Sequence, residues 1–194
     1  MYALKQQWRR GILVLLLAGA TLQLSQAGYL FAKAELAQLF IASAWQQTLR
    51  GKQRVKPWRW ADTWPVARLQ MSSRTIDENL YVLAGASGSS LAFGPGHITG
   101  TTLPGGHGNI IIGGHRDTHF NFLAEVKLSD ELRLQAPNGR WHHYRVDAIN
   151  IRDIQAGPLQ VNPNAEQLQL ISCYPFNALK TGGPLRYIVT ANKI

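Results

Sequence analysis

The sequence predicts a mainly β domain preceded by an N-terminal helix that is long and apolar enough to cross a membrane. Three observations lead to this fold class. From about residue 64, short apolar segments alternate with turn residues, as they do in antiparallel sheets. The turn Pro137-Asn138-Gly139 separates two of those segments, and Asn-Gly accepts the positive φ that tight hairpins need. Residues 11–32 form a run of 22 positions without a charge.

The uncharged run 11–32 is long enough for a membrane anchor. At a helical rise of about 1.5 Å per residue it spans the hydrocarbon core of a bilayer. Three basic residues precede it: Lys5, Arg9 and Arg10. We expect residues 1–10 to be a cytoplasmic basic segment and 11–32 a single-pass anchor in the cell (inner) membrane. A cleaved signal peptide is the alternative, because Ser25-Gln26-Ala27 resembles a cleavage site. Either interpretation sends the remaining chain out of the cytoplasm.

Residues 33–60 are predicted to be a helical stalk and a basic linker. Apolar residues recur at a spacing of four over 35–49, which indicates a helix. That helix either continues the anchor as a stalk or packs on the following domain. Residues 50–60 form a linker rich in Lys, Arg and Trp. The predicted catalytic domain is 61–194.

The charge distribution argues against a nucleic-acid-binding domain. The chain has a net charge of +9. Residues 1–60 carry nine Lys and Arg against Glu35 alone, whereas 61–194 carry eleven against ten acidic residues. The folded domain is therefore almost neutral, and the basic residues lie around the anchor, as membrane topology requires. The 45% of hydrophobic residues is enough for a real core.

Six strands are predicted after residue 64, each a short apolar or alternating run bounded by turn residues. Strands at this spacing indicate a closed or sandwiched antiparallel sheet. The predicted strands are 80–83, 109–112, 132–135, 141–151, 168–173 and 185–191.

Cys173 is the single cysteine, so the domain holds no internal disulfide. A lone cysteine is more often a small buried residue than a nucleophile. Here it ends a predicted strand, and Pro175 stops that strand two residues later. Strand alternation gives Leu168, Leu170 and Ser172 one face and Cys173 the other. A thiol at a strand end, where a loop opens, is placed like a nucleophile.

A reactive thiol needs a base or a cationic partner. Among six histidines, His115 has the most suggestive setting, because it follows an apolar strand that ends in Gly113-Gly114. The other histidines have plainer interpretations. His142 and His143 fit a barrel wall, His119 a helix start, and His97 and His107 lie in Gly/Pro-rich loops where either role is open.

Arg186 is the third candidate site residue. It faces opposite to Leu185, Tyr187 and Val189 in the last predicted strand. Alone, it is best read as solvent-facing. Paired with a Cys/His site, it would donate hydrogen bonds to a developing oxyanion.

Three motifs together resemble the His, Cys and Arg motifs of the sortases, in their order. They are Gly114-His115-Arg116-Asp117, Leu170-Ile171-Ser172-Cys173 and Leu185-Arg186-Tyr187. Segments 92–97, 113–120 and 173–176 are similar to class D-like single-anchor sortases, including those of Gram-negative bacteria. The family's Thr-Leu-x-Thr-Cys reads Gln169-Leu170-Ile171-Ser172-Cys173 here, so Ser172 keeps a hydroxyl and Gln169 replaces a threonine.

The resemblance covers about 64–192 and implies an eight-stranded β-barrel with short helices and a site at its rim. It implies that Cys173 is the nucleophile, His115 the general acid/base and Arg186 the oxyanion and substrate stabiliser. The implied enzyme is a cysteine transpeptidase/endopeptidase that cleaves a C-terminal sorting signal resembling Leu-Pro-x-Thr-Gly through a thioester.

The implied partners are a protein that carries the sorting signal, an amine acceptor and the membrane, with no cofactor, no metal and no nucleic acid. Two alternatives stay open. One is a thiol hydrolase or L,D-transpeptidase that uses the same Cys and His. The other is a barrel that only binds peptides.

Overall fold

The structure, a computed structural model, describes residues 2–157, 162, 164–178 and 182–194. The chain divides into two compact units, one ending at Leu39 and one formed by Phe40–Ile194. The predicted domain boundary at residue 61 stays a prediction, and the compact unit observed here begins at Phe40.

Helix α1 covers Tyr2–Leu49. Its part Gly11–Leu49 is long and apolar enough to cross a membrane. Side chains from residue 11 to residue 36 are exposed, including large apolar ones such as Leu15, Leu24 and Phe31. Such a continuous apolar surface is costly in water and favourable in lipid. The predicted anchor helix is therefore a candidate membrane span.

Among the described residues, the second unit contains the end of α1, eight strands and two short helices. The short helices are α2, Gly88–Phe93, and a 3₁₀ helix, Asn121–Glu125. The strands are β1 Pro65–Ser72, β2 Asp77–Ala84, β3 Gly96–His97, β4 Ile110–Gly113, β5 Glu131–Gln135, β6 Trp141–Asp153, β7 Gln167–Cys173 and β8 Leu185–Lys193.

The strands close into a barrel in the order β1-β2-β3-β4-β7-β8-β6-β5. The eight-stranded barrel implied by the resemblance is thereby confirmed. Most neighbours are antiparallel, as predicted, but β2/β3 and β4/β7 are parallel. A parallel pair needs a long crossover, and the hairpin β5–β6 lies within the connection from β4 to β7. This crossover brings the end of β4 beside the end of β7.

All six predicted strands are confirmed, and β1 and β3 were missed. Strand β1 carries a period-two pattern in which Ala67, Leu69 and Met71 are buried, so a signal was present. Strand β3 has two residues, too few for any pattern. It also depends on a glycine, because a Cβ at Gly96 would lie 2.1 Å from the carbonyl oxygen of Gly85.

The predicted hairpin turn joins β5 to β6. The Gly139 N–H donates to the Ala136 carbonyl at 2.9 Å, and the Ala136 N–H donates to the Arg140 carbonyl at 2.9 Å. Gly139 has a φ of 82°, and Asn138 does not have a positive φ. This is the three-residue loop that ends in a left-handed glycine, rather than a two-residue loop with two left-handed residues.

The last turns of α1 pack on the barrel, which favours the second of the two alternatives for this helix. Ile41, Ala44 and Trp45 are buried. The indole Nε1 of Trp45 donates to Oε1 of Gln135 on β5 at 3.3 Å. Residues 40–49 are therefore part of the folded unit and contribute to its core.

Trp45→Ala should destabilise the barrel unit by about 3–5 kcal/mol, because it removes a fully buried indole and leaves a cavity. Thermal or denaturant unfolding of the detergent-solubilised chain measures the effect. Leu39→Ala is the matched control, since that side chain is 65% exposed and its loss should change the unfolding free energy little. Equal, small effects of the two variants would contradict the packing of the helix end.

Candidate active site

Cys173 ends β7 on the outer face of the barrel. Leu168 and Leu170 point into the main core, whereas Ile171 belongs to a second apolar cluster with Ile111 and Ile188. Cys173 is two residues after Ile171 and therefore shares its face. The predicted alternation of this strand is confirmed. The thiol is free and half-buried.

Arg186 lies directly opposite Cys173 on the neighbouring antiparallel strand β8. Directly paired residues point to the same side of a sheet, with Cβ atoms about 4.5–5.5 Å apart. The guanidinium Nη1 donates to the carbonyls of Gly183 at 2.6 Å and Leu185 at 2.9 Å. Within the described part of the chain, Nη2 and Nε make no hydrogen bond. One nitrogen thus anchors the side chain and the others are left for a ligand.

His115 comes from the other side of β7. In the parallel pair β4/β7, Gly113 pairs with Ile171, so the register continued by two residues places His115 level with Cys173. The pairing continues beyond the end of β4, because the Gly114 N–H donates to the Ile171 carbonyl at 3.0 Å. The hydroxyl of Ser172 also donates to the Gly114 carbonyl at 3.0 Å. The register therefore brings His115, two residues beyond the end of β4, to the same edge as Cys173 of β7 and Arg186 of β8.

Gly114 has a packing reason to be glycine. A Cβ at this position would lie 2.6 Å from the ring of Phe120, which is fully buried. The Phe120 N–H donates to the His115 carbonyl at 3.0 Å. The backbone of His115 is therefore held between the β7 edge and a turn that folds back on it.

His119 lies close enough to His115 for the two imidazoles to interact electrostatically. Burial lowers the pKa of His119, and the neighbouring His115 lowers it further. His119 therefore stays neutral at neutral pH and is poorly suited to act as an imidazolium. His115 is exposed at the edge, where it can reach a ligand.

The remaining histidines lie elsewhere in the fold. His97 is buried in β3, and its Nε2 contacts the Thr102 carbonyl at 2.9 Å, which indicates a structural role. His107 pairs with Glu166 on the surface. His142 and His143 lie in β6, as the barrel-wall interpretation predicted. Among the described residues, no three His, Cys, Asp or Glu side chains come together as metal ligands.

An apolar cluster lies on the outer face beside the edge. It consists of Ile111, Ile171 and Ile188, with Ile98 packed against them. The first three are 3%, 7% and 7% exposed, so the cluster is a small second core that supports these strands.

Two arginines near the edge were missed by sequence reasoning. Arg152 of β6 pairs with Arg186 of β8, so it extends the row by one strand. Arg116 is 5% exposed, and its Nη1 and Nη2 donate to the carbonyls of Pro175 and Ala178, each at 2.8 Å. The His motif contains Arg116 but gives it no role, and no local pattern indicates the partners of either arginine, because those depend on which segments are neighbours.

Comparisons with known proteins agree on one family. A family model described as a sortase domain matches residues 71–194. Sortase D of Bacillus subtilis is 29% identical over 119 residues, which cover 61% of this chain and 60% of the relative. The match thus spans about 60% of the length of that curated relative.

Solved structures show the same fold. Sortase A from Corynebacterium diphtheriae superposes with a TM-score of 0.59 at 31% identity, covering 75% of this chain and 67% of that one. Sortase C-1 from Actinomyces oris gives a TM-score of 0.56 at 26% identity, covering 67% and 74%. Since the family model covers well over half of the sequence and the barrel agrees with it, this chain belongs to the sortase family.

Proposed function

We propose that this chain is a cysteine transpeptidase that cleaves a sorting signal resembling Leu-Pro-x-Thr-Gly and transfers the acyl group to an amine. The observation that carries the proposal is the row of His115, Cys173 and Arg186 at one edge of the barrel. Cys173 and Arg186 pair across β7 and β8, and His115 follows the end of β4, which pairs with β7. Nucleophilic acyl transfer needs these parts: a nucleophile, a proton carrier within reach and a donor for the oxyanion.

The first half of the reaction forms a thioester. The thiolate of Cys173 attacks the carbonyl carbon of the Thr–Gly bond, and the carbonyl oxygen becomes an oxyanion. Arg186 stabilises that oxyanion with the nitrogens that do not hold the backbone. When the C–N bond breaks, the imidazolium of His115 gives its proton to the leaving amine. The acyl group remains on the sulfur.

The second half reverses these roles. An incoming amine attacks the thioester carbonyl while neutral His115 takes a proton from it. A second oxyanion forms at the same place and meets the same donors. The C–S bond breaks, the new amide leaves, and the thiolate of Cys173 and the imidazolium of His115 are restored.

The test is a peptide assay with the purified full chain, a Leu-Pro-x-Thr-Gly peptide and an added amine such as triglycine. Mass spectrometry should show an acyl group on Cys173 and a product in which the amine has replaced glycine. A hydrolysed product alone at saturating amine would identify a hydrolase instead. A chain that forms no thioester with any such peptide would refute the proposed activity.

We further propose that α1 anchors the chain in the cell membrane with the barrel on the extracytoplasmic side. The basic residues before the span and the exposed apolar helix support this orientation. Cys173 is the single cysteine, so a membrane-impermeant maleimide added to spheroplasts should label the chain. Labelling only after lysis would contradict the orientation.

Arg186→Lys should lower kcat by about 10²-fold or more, because a lysine keeps the charge but loses the planar set of donors. Formation and resolution of the thioester should fall together, since both pass through an oxyanion. Single-turnover kinetics with the peptide and the amine measure the two steps. A loss that appears only in KM would assign Arg186 to holding the signal, and full activity would remove it from the mechanism.

A further inference from the structure

Arg116 is a buried arginine between the two segments that carry His115 and Cys173. Its side chain is 4% exposed. Nε donates to Asp117 at 3.0 Å, and Nη1 and Nη2 donate to the carbonyls of Pro175 and Ala178 at 2.8 Å each. Its planar fork thus reaches across from the loop after β4 to the loop after β7.

Burying this guanidinium has an unfavourable free energy, and its hydrogen bonds show which contacts offset it. Moving a charge out of water costs several kcal/mol unless it is well hydrogen-bonded. Asp117 supplies the opposite charge, but its own side chain is 57% exposed, so that ion pair alone does not require a buried arginine. The two carbonyls do explain why an arginine is buried here, because the planar guanidinium carries two Nη atoms that reach both carbonyls at once. The Ala178 N–H also donates to the Pro175 carbonyl at 3.3 Å, so Arg116 binds a turn that is already formed.

The bonds between the two segments lie on both sides of the Cys/His pair. On one side, the Gly114 N–H reaches the Ile171 carbonyl and the hydroxyl of Ser172 reaches the Gly114 carbonyl. On the other side, Arg116 reaches Pro175 and Ala178. His115 lies between Gly114 and Arg116 in the chain, and Cys173 lies between Ser172 and Pro175. Each residue of the pair is therefore flanked by residues that are bonded to the other segment.

We propose that Arg116 is a positioning residue that fixes the imidazole of His115 relative to the thiol of Cys173. This inference rests on the proposed acyl transfer. The β4/β7 pairing ends at Gly113 and Ile171, before both residues, and Arg116 adds bonds between the two segments beyond them. Proton transfer and attack depend on geometry at the level of 1 Å, and a misplacement of that size costs about 10²-fold in rate.

The test compares Arg116→Lys with Arg145→Lys. A lysine at 116 keeps the charge but reaches one carbonyl instead of two. We expect kcat to fall by about 10²-fold, with KM within about threefold of the wild type, because Arg116 is buried and its replacement leaves the residues that a peptide meets unchanged. Arg145 pairs with Glu131 on the surface of β5 and β6, at 2.9 Å with both side chains half-exposed, so its replacement should leave kcat and KM unchanged. Melting curves of both variants check that they are folded at the assay temperature.

A second measurement needs no peptide. Alkylation of Cys173 by iodoacetamide depends on the imidazole that stabilises the thiolate, and it should slow in Arg116→Lys and not in Arg145→Lys. If the wild type alkylates quickly but turns over no sorting-signal peptide, the proposed function fails while the positioning role is still measured. Wild-type kcat and wild-type alkylation in Arg116→Lys would overturn the inference. A lowered unfolding midpoint without a change in kcat would also overturn it, because the role would then be stability alone.

If Arg116→Lys does not fold, the wild type itself provides the test. A guanidinium held on both Nη atoms rotates slowly, and its buried N–H groups exchange slowly with solvent. Side-chain nitrogen spectra of the full chain should therefore show separate, slowly exchanging resonances for Arg116. A single averaged, rapidly exchanging signal would mean that the fork is not fixed, and the positioning role would be lost.

Discussion

Cys173→Ala should form no thioester and should lower peptide cleavage by about 10⁴-fold or more, because it removes the proposed nucleophile. The unfolding midpoint should be nearly that of the wild type, since the residue is half-buried and loses one atom. Mass spectrometry of the chain after incubation with a sorting-signal peptide gives the first result, and a melting curve gives the second.

Cleavage that survives the loss of Cys173 would contradict the cysteine mechanism. Because Cys173 is the single cysteine, any cleavage that survives its loss must come from another kind of nucleophile. Cleavage at the wild-type rate in a folded Cys173→Ala chain would mean that the chain is an enzyme with a different nucleophile.

His115→Ala should be about as damaging as the loss of the thiol, because nucleophile and proton carrier act as one unit and their effects do not add. The double variant with Cys173→Ala should be no slower than either single variant. Thioester formation in a rapid-quench experiment separates an effect on the first half-reaction from one on the second.

His119→Ala is the matched control for this histidine. It lies four residues away and its lowered pKa keeps it neutral at neutral pH, so its loss should change the rate far less. His143→Ala, an exposed position in β6, should have no effect. If His119→Ala were inactive and His115→Ala active, the proton carrier would be His119.

The sequence predicted much of the barrel because the strands carry local patterns. The run 168–173 alternates so clearly that the outward face of Cys173 followed from it, and Leu168 and Leu170 are in the core as expected. Strand β3 could not be predicted, since two residues have no periodicity and its pairing depends on the close approach of Gly85 to Gly96.

The sequence predicted three site residues, and the structure shows which strand pairings bring their positions to one edge. Motifs pointed to His115, Cys173 and Arg186, but the parallel pair β4/β7 was not foreseen, because parallel pairing leaves no local signal. Arg116 was passed over for a similar reason. Its partners are backbone carbonyls of a loop about sixty residues away. Every residue has a backbone carbonyl, so residue identities in that loop do not indicate the contact.

The end of α1 shows what the periodicity of a helix does not determine. A spacing of four over 35–49 predicted the helix, and the structure has it. The same spacing did not decide between a free stalk and a packed helix. The buried Trp45 decides it through its contact with Gln135, which a pattern within the helix cannot contain.

The parallel crossover also determines when the chemistry begins. The bond between Ser172 and Gly114 joins residues 58 positions apart, and β5 and β6 lie in the chain between them. Contacts of such long range form late and slowly. Under the proposed mechanism, a newly synthesised chain has a thiol but no imidazole beside it until the barrel closes. On that mechanism the unfolded polypeptide is inactive, and completion of folding is its activation step.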